Sequence, residues 1–182
     1  MKSLLNLGYE PAGSPILADD VLEFHAARIL MLIRLCGTAN RINGLTKMAK
    51  LDFFVRYPQF FHVMCRKLGV SIEPITQTVE SSMLRFHYGP WDKRYYHILA
   101  YLEGKELITV TQDGKQLQLR LTELGRNTAE RIGGEEAFKE IAAHMKSVKK
   151  VLGGKSGSTL KKWIYQVFEQ EVASRAMDEV IK

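Results

Sequence analysis

The sequence predicts a mostly helical chain with one small β-hairpin, an α+β fold. Two observations carry that expectation. Apolar residues recur at helical spacing through much of the chain, between glycine and proline stops. Two strand-like runs, 107–112 and 115–121, flank Asp113-Gly114, one of the strongest short hairpin signals. The composition agrees: 46% hydrophobic and 25% charged residues in a chain of 182 suit a folded domain, with enough core to need no staples.

Residues 1–18 hold Gly8, Pro11, Gly13 and Pro15. They read as an extended arm anchored by Leu4, Leu5, Leu7 and Tyr9. Asp19 and Asp20 are expected to cap a helix that Gly37 ends. It carries Val21, Leu22, Phe24, Ile29, Leu30, Leu32, Ile33 and Leu35 on most of its sides, the pattern of a central core helix. Asn43 is expected to start a second helix. Leu45, Met48, Leu51 and Phe54 or Val55 share one face, and Lys47 and Lys50 point away. Pro58 suits the first turn of a third helix, closed by Gly69. Residues 70–82 read as a loop.

Met83, Leu84, Phe86 and Tyr88 form an extended run expected to stop at Gly89-Pro90. Asp92 can cap the next helix, with Tyr95, Ile98, Leu99 and Leu102 inward and Gly104 at its end. After the hairpin, Thr122 caps a helix that ends at Gly133-Gly134. Residues 135–152 are helical again. Gly153-Gly154-Lys155-Ser156-Gly157 then reads as a flexible joint, and Ser158 as the cap of a last helix.

Helix, helix, then helix plus hairpin is the order of a winged helix. The expected fold is a winged-helix core with extra N- and C-terminal helices. Residues 92–103 would be the recognition-helix equivalent, Asp113-Gly114 the wing tip, and the Pro58 helix an insertion. The expected organisation is a 1–18 arm, a 19–134 winged-helix domain and a 135–182 helical extension.

The search for chemistry removes several classes. Gly154-Lys155-Ser156 lacks the upstream glycine and the buried strand of a phosphate-binding loop; the positions that should hold glycine are Val148 or Lys149. Pro90, Asp92, Glu103 and Lys105 spell a loose nuclease constellation, but Glu103 and Lys105 flank the glycine that ends a helix, where a strand is needed. His25, His62, His87, His97 and His144 have no partner at metal-ligand spacing. Cys36 and Cys65 read as buried thiols, not a disulfide. No catalytic residue, metal ligand or cofactor is indicated. The first 20 residues lack the apolar region of a secretory signal, and no run reaches the roughly 18 apolar residues of a membrane span. The expected setting is the reducing cytoplasm.

Twenty-six basic against twenty acidic residues give a net charge of +6, compatible with an acidic partner such as nucleic acid. Candidate DNA contacts are Lys93, Arg94 and His97 on the recognition-helix equivalent, and Lys115 and Arg120 on the hairpin. A second basic group, Lys139, Lys146, Lys149, Lys150, Lys155, Lys161 and Lys162, reads as solvated surface around the glycine joint. Leu160, Trp163, Ile164, Val167 and Phe168 give the last helix one strongly apolar side. With Leu4 and Leu5 of the arm, they are the candidate partner surface.

Particular strings carry a resemblance. They are Arg28-Ile29-Leu30-Met31-Leu32; Gly44-Leu45-Thr46-Lys47-Met48-Ala49-Lys50-Leu51-Asp52-Phe53 with Arg56-Tyr57-Pro58; and Tyr88-Gly89-Pro90-Trp91-Asp92 with Tyr95-Tyr96. Gly154-Lys155-Ser156-Gly157, Leu160-Lys161-Lys162 and Ile164-Tyr165 fit the same picture. Over most of 16–168 the chain resembles the small middle component of bacterial ABC-three-component defence systems, similar to the small subunit of Lamassu anti-phage systems. The resemblance implies a non-enzymatic, kleisin-like accessory protein. Such an adaptor would bind an SMC/Rad50-like ATPase and help hold or release an effector subunit, often a nuclease, with weak or indirect DNA contact and no membrane. It implies no catalytic residues. The competing class is a stand-alone winged-helix transcriptional regulator that dimerises on DNA.

Overall fold

The computed structural model of the chain describes residues 21–72, 83–86, 89–168 and 180–181. The arm at 1–18, the caps expected at Asp19 and Asp20, most of the 70–82 loop and Tyr88 lie outside them. Helix α1 (Leu22–Cys36) is the hub. Ile29 to Ile33 are all buried, and α2, α4, α5 and α6 pack around it. It ends at Gly37, where a side chain could not fit: a Cβ would lie 2.2 Å from the Ile33 carbonyl oxygen and 2.6 Å from that of Arg41. Ala39 and Asn40, both at positive φ, then turn the chain into a three-residue strand, β1 (Arg41–Asn43), which the sequence reading did not anticipate.

Helix α2 (Leu45–Arg56) begins after Gly44, not Asn43, and has no side-chain cap. Helix α3 (Pro58–Lys67) starts on the proline as expected. Strand β2 (Met83–Phe86) pairs antiparallel with β3 (Gly89–Trp91), so Gly89-Pro90 belongs to a second strand and does not end the first. The proline is tolerated because β3 is an edge strand, where a missing ladder donor costs little. The partner on the other side of β2 is β6 (Val180–Ile181).

Helix α4 (Tyr95–Gly104) is followed by β4 (Ile108–Asp113) and β5 (Gln116–Leu121). Asp113 pairs with Gln116, so the hairpin turn is Gly114-Lys115, one residue later than the Asp113-Gly114 expectation. Gly114 takes φ +59, as the first position of a II′ turn requires. Strand β1 pairs with β5 in the register Ile42↔Leu119 and Asn43↔Gln118. The main sheet is therefore three-stranded and antiparallel, in the order β1-β5-β4.

Helix α5 (Glu123–Gly134) is capped by the Thr122 hydroxyl, which accepts from Gly125 N at 2.9 Å. A 3-10 turn (Glu136–Phe138) leads into α6 (Lys139–Leu152). Ser156, not Ser158, caps α7 (Gly157–Val167). Met145, Val148, Leu152, Leu160, Ile164 and Phe168 join the same core as α1 and α2. Phe168 sits edge-on to Phe60 at 4.8 Å, and Phe53 stacks on Phe60 at 5.1 Å. The architecture is mostly helical with a small antiparallel sheet, an α+β fold. No helix among the described residues is long and apolar enough to cross a membrane.

Candidate nucleic-acid interface

The entrance to α4 is fixed by buried charge. Asp52 of α2 is fully buried. It accepts from Arg28 Nε at 2.9 Å and from the Tyr95 hydroxyl at 2.7 Å. Arg56, also buried, donates to Asp92 at 2.8 Å. Asp92 is not the helix cap. Its carboxylate takes the Arg94 backbone amide at 2.9 Å and the Arg94 guanidinium at 2.7 Å. The His25 ring lies between Arg28 and Arg94, with one nitrogen 2.8 Å from each. Burial opposes ionisation of Asp92, but the Arg94 hydrogen bonds and the charges of Arg56 and Arg94 outweigh it. The carboxyl is held well below the usual range. Burial, with Asp52 alongside, pushes the Tyr95 hydroxyl up. Lys50 completes the cluster by donating to the Pro90 carbonyl at 2.9 Å. Burial pulls its pKa down to about 7. The sequence reading placed Lys50 on an outer face; it is wholly buried, because β3 and α7 cover that side of α2.

This network aims the outer face of α4. His97 and Tyr96, the latter 63% exposed, lie on it, and Lys93 is exposed in the turn that leads into the helix. Arg94, expected to reach DNA, is half-buried and holds Asp92 and His25 instead. On the hairpin, Lys115 stands at the turn. Arg120 is exposed, and its guanidinium bonds Gln118 at 3.0 Å. Across the ladder from Arg120 lies Arg41 of β1, a basic residue that could be placed there only once β1 was known.

A cleft of about 500 Å³ opens where the first turns of α2 and α7 meet the hairpin tip. Gly157 makes the meeting possible, since a Cβ there would sit 2.9 Å from Lys47 N. The glycine run expected to be a flexible joint is thus packed at its two ends, Gly153 and Gly157, with 154–156 exposed between them. Lys47, Lys115 and Lys161 line the cleft, and among the described residues no acidic one does. Lys47 also donates to the Gly153 carbonyl at 2.8 Å. Burial, with the Lys149 charge nearby, pulls its pKa down. Lys47 was expected to point away as surface. Lys161 belonged to the group read as solvated. Neither carried a signal in sequence, because the cleft joins three segments far apart in the chain. Lys149 of the same group caps the end of α1, bonding the carbonyls of Cys36 and Gly37 and, at 3.0 Å, the Thr38 hydroxyl.

The expected partner surface changes most. Leu4 and Leu5 lie outside the described residues. Leu160, Ile164 and Phe168 are buried in the chain's own core, so the apolar side of α7 is not an open docking face. Trp163 and Val167 are half-buried, with the Lys155 ammonium 5.5 Å from the Trp163 ring.

Asp92 precedes α4 and Glu103 lies in its last turn; the helix between them, from Tyr95, alone rises about 12 Å, too far for the two to share a metal ion. Glu103 accepts from Val110 N at 2.9 Å. Among the described residues no group of three or more histidine, cysteine or acidic side chains could hold a metal. His144 is a core residue bonded to the Phe54 carbonyl, and His87 lies outside the described residues. Both cysteines are free and buried; burial pushes the Cys36 thiol up to about 12.

No protein-family model, curated protein or solved structure gives a significant match to this chain.

Proposed function

We propose that this chain is a non-enzymatic winged-helix adaptor. In this reading it joins an SMC/Rad50-like ATPase to an effector subunit, often a nuclease, in an anti-phage assembly of the Lamassu or ABC-three-component kind. One observation carries the winged-helix part. Helix α1, strand β1, helix α2, helix α4 and the β4–β5 hairpin follow one another in that order, with sheet order β1-β5-β4. This is how a winged helix places its first strand beside its last. Helix α3 and the β2–β3 pair are then an insertion between the second and third helices of that core. Helix α4 takes the recognition-helix place and Gly114-Lys115 the wing tip. The adaptor part rests on the string resemblance alone.

DNA contact in this reading is weak and blind to sequence. Of the expected contacts on α4, Arg94 is committed inward, which leaves Lys93 and His97. The deciding experiment is co-expression with an SMC/Rad50-like ATPase, taken from the neighbouring genes where one is encoded there, read by mass photometry. A stable complex is expected. A homodimer that ignores the ATPase and holds one palindromic duplex at nanomolar affinity in physiological salt would replace this reading with a transcriptional regulator.

A further inference from the structure

We infer that the outward face of the β1-β5-β4 sheet, centred on Arg41 and Arg120, is a phosphate-binding surface for a nucleic-acid backbone. The argument starts from register. Arg41, Arg120 and Thr109 form one row across the three strands, and Asn43, Gln118 and Thr111 form the next. Ile42, Leu119 and Ile108 alternate with them and are buried, so both rows face outward. Gly44 N donates to the Leu117 carbonyl, and Leu121 N donates to that of Asn40. An antiparallel ladder alternates, so Arg41 and Arg120 are a non-hydrogen-bonded pair, with Cα atoms about 4.5 Å apart and side chains at their closest. Like charges directly opposite on a sheet destabilise it. Among the described residues neither arginine is in an ion pair. A polyanion laid over the two relieves their repulsion, and each guanidinium is a rigid fork that fits phosphate oxygens in pairs.

The basic row continues into a hollow at the β1 edge. Arg41, Thr38, Asn43 and Lys47 line about 210 Å³ there. Lys149 reaches the rim, donating to the Thr38 hydroxyl at 3.0 Å. Burial first, and the Lys149 charge second, pull the Lys47 pKa down, so the two ammonium groups are close enough to repel. Basic groups from β1, α2, α6 and β5 thus converge. The face's own acid, Asp113, stands opposite Gln116, two rows from Arg120 and about 13 Å along the strands. A nucleic acid fits this surface better than an acidic protein does. The six side chains of the two rows are all polar. They give a protein partner no apolar or aromatic anchor, and such anchors dominate protein interfaces. Threonine, asparagine and glutamine join arginine as common donors to phosphate and sugar oxygens, contacts that position a duplex without reading its sequence.

The inference rests on the nucleic-acid part of the proposed function. The ATPase complex is read by mass photometry, so either can fail alone. The probes are a fluorescent DNA duplex of arbitrary sequence, followed by anisotropy across salt concentrations, and a polyglutamate peptide, followed by calorimetry. Lys47 and Lys149 are tied to carbonyls at helix ends, so the arginines are the residues to change. Arg41→Gln with Arg120→Gln should weaken duplex binding about tenfold, alike for all sequences, and lower the log–log salt slope by about two. Arg41→Lys with Arg120→Lys keeps both charges and should keep the slope. Arg131→Gln with Lys146→Gln removes the same charge from exposed positions on α5 and α6 and should leave binding and slope as they are. The melting temperature of the glutamine pair should equal or exceed that of the parent chain, because the cross-strand repulsion is gone. Should that pair fail to fold, Arg120→Gln alone serves, because Arg120 is exposed; its slope should fall by about one. Unchanged duplex binding in the folded glutamine pair, or an equal loss in the Arg131 and Lys146 pair, would overturn the site. Polyglutamate bound as tightly as the duplex, and lost in the glutamine pair, would overturn its nucleic-acid occupant.

Discussion

Arg28, Arg56 and Lys50 carry the same formal charge as Lys115 and Lys161, yet the two sets behave as different materials. The first set is buried between α1, α2 and the entrance to α4, and its charge is answered by Asp52, Asp92 or a backbone carbonyl. The second borders an open cleft, Lys115 exposed at the hairpin turn and Lys161 half-buried on α7. Buried ion pairs cost desolvation, and they hold only while every member has its partner. Lys115, exposed at the turn, keeps its water and costs the fold little. A net charge of +6 counts both sets alike. What separates them is what later elements cover: β3 and α7 pack on α2 over Lys50, while Lys115 stays exposed at the hairpin turn.

The comparison breaks most visibly at Asp52. Asp52→Ala leaves Arg28 buried without its carboxylate and the Tyr95 hydroxyl without its acceptor. Removing one partner of a buried pair costs about 3–5 kcal/mol. Lys115→Ala, at the exposed turn, should stay within about 0.5 kcal/mol. Urea unfolding of both variants checks this, and equal midpoints would show that the inner network contributes no more than the surface.

Much of the fold was legible because its signals are local. Thr122 as a cap, Pro58 as a first turn and the glycine at the hairpin all act within a few residues. What was missed is non-local. Strand β1 has three residues and no alternating pattern of its own, and becomes a strand only because β5 pairs with it. Helix periodicity correctly found one apolar face of α2. It could not reveal that the opposite face is also buried, so Lys50 read as an outward residue while sitting in the network. The α4 face was partly legible: Lys93 and His97 are exposed, but Arg94 turns inward because Asp92 two residues earlier is buried and needs it. The cleft was illegible for the same reason as β1.

Lys50 sharpens the contrast through pH. Burial, with the Lys161 charge nearby, lowers its pKa from 10.5 to about 7. The unfolded chain therefore keeps a proton between about pH 7 and 10.5 that the native chain releases. Stability should rise with pH across that window, by at most about 1.4 kcal/mol per unit for one proton. Below pH 7 both states are charged, and the burial cost is fully present. Lys50→Met should remove the rise, while Lys115→Gln should retain it. Urea midpoints near neutral and near pH 9 read the difference. An identical rise in Lys50→Met would place the proton elsewhere.

The smallest expected effect lies in the turn that leads into α4. Lys93 is exposed and follows the anchored Asp92, so Lys93→Glu changes charge without touching the network's geometry. Its melting temperature should match the parent chain, since exposed substitutions away from special features stay within about 0.5 kcal/mol. Duplex binding should weaken alike for all sequences, with a salt slope lower by about one, the signature of a single phosphate contact. A selective loss for one sequence would mean that α4 reads bases. That outcome would move the chain toward the regulator, because an adaptor needs affinity without discrimination. A melting drop in Lys93→Glu would show that the two sets of basic residues are coupled, and that the face beside Asp92 belongs to the ionic core after all.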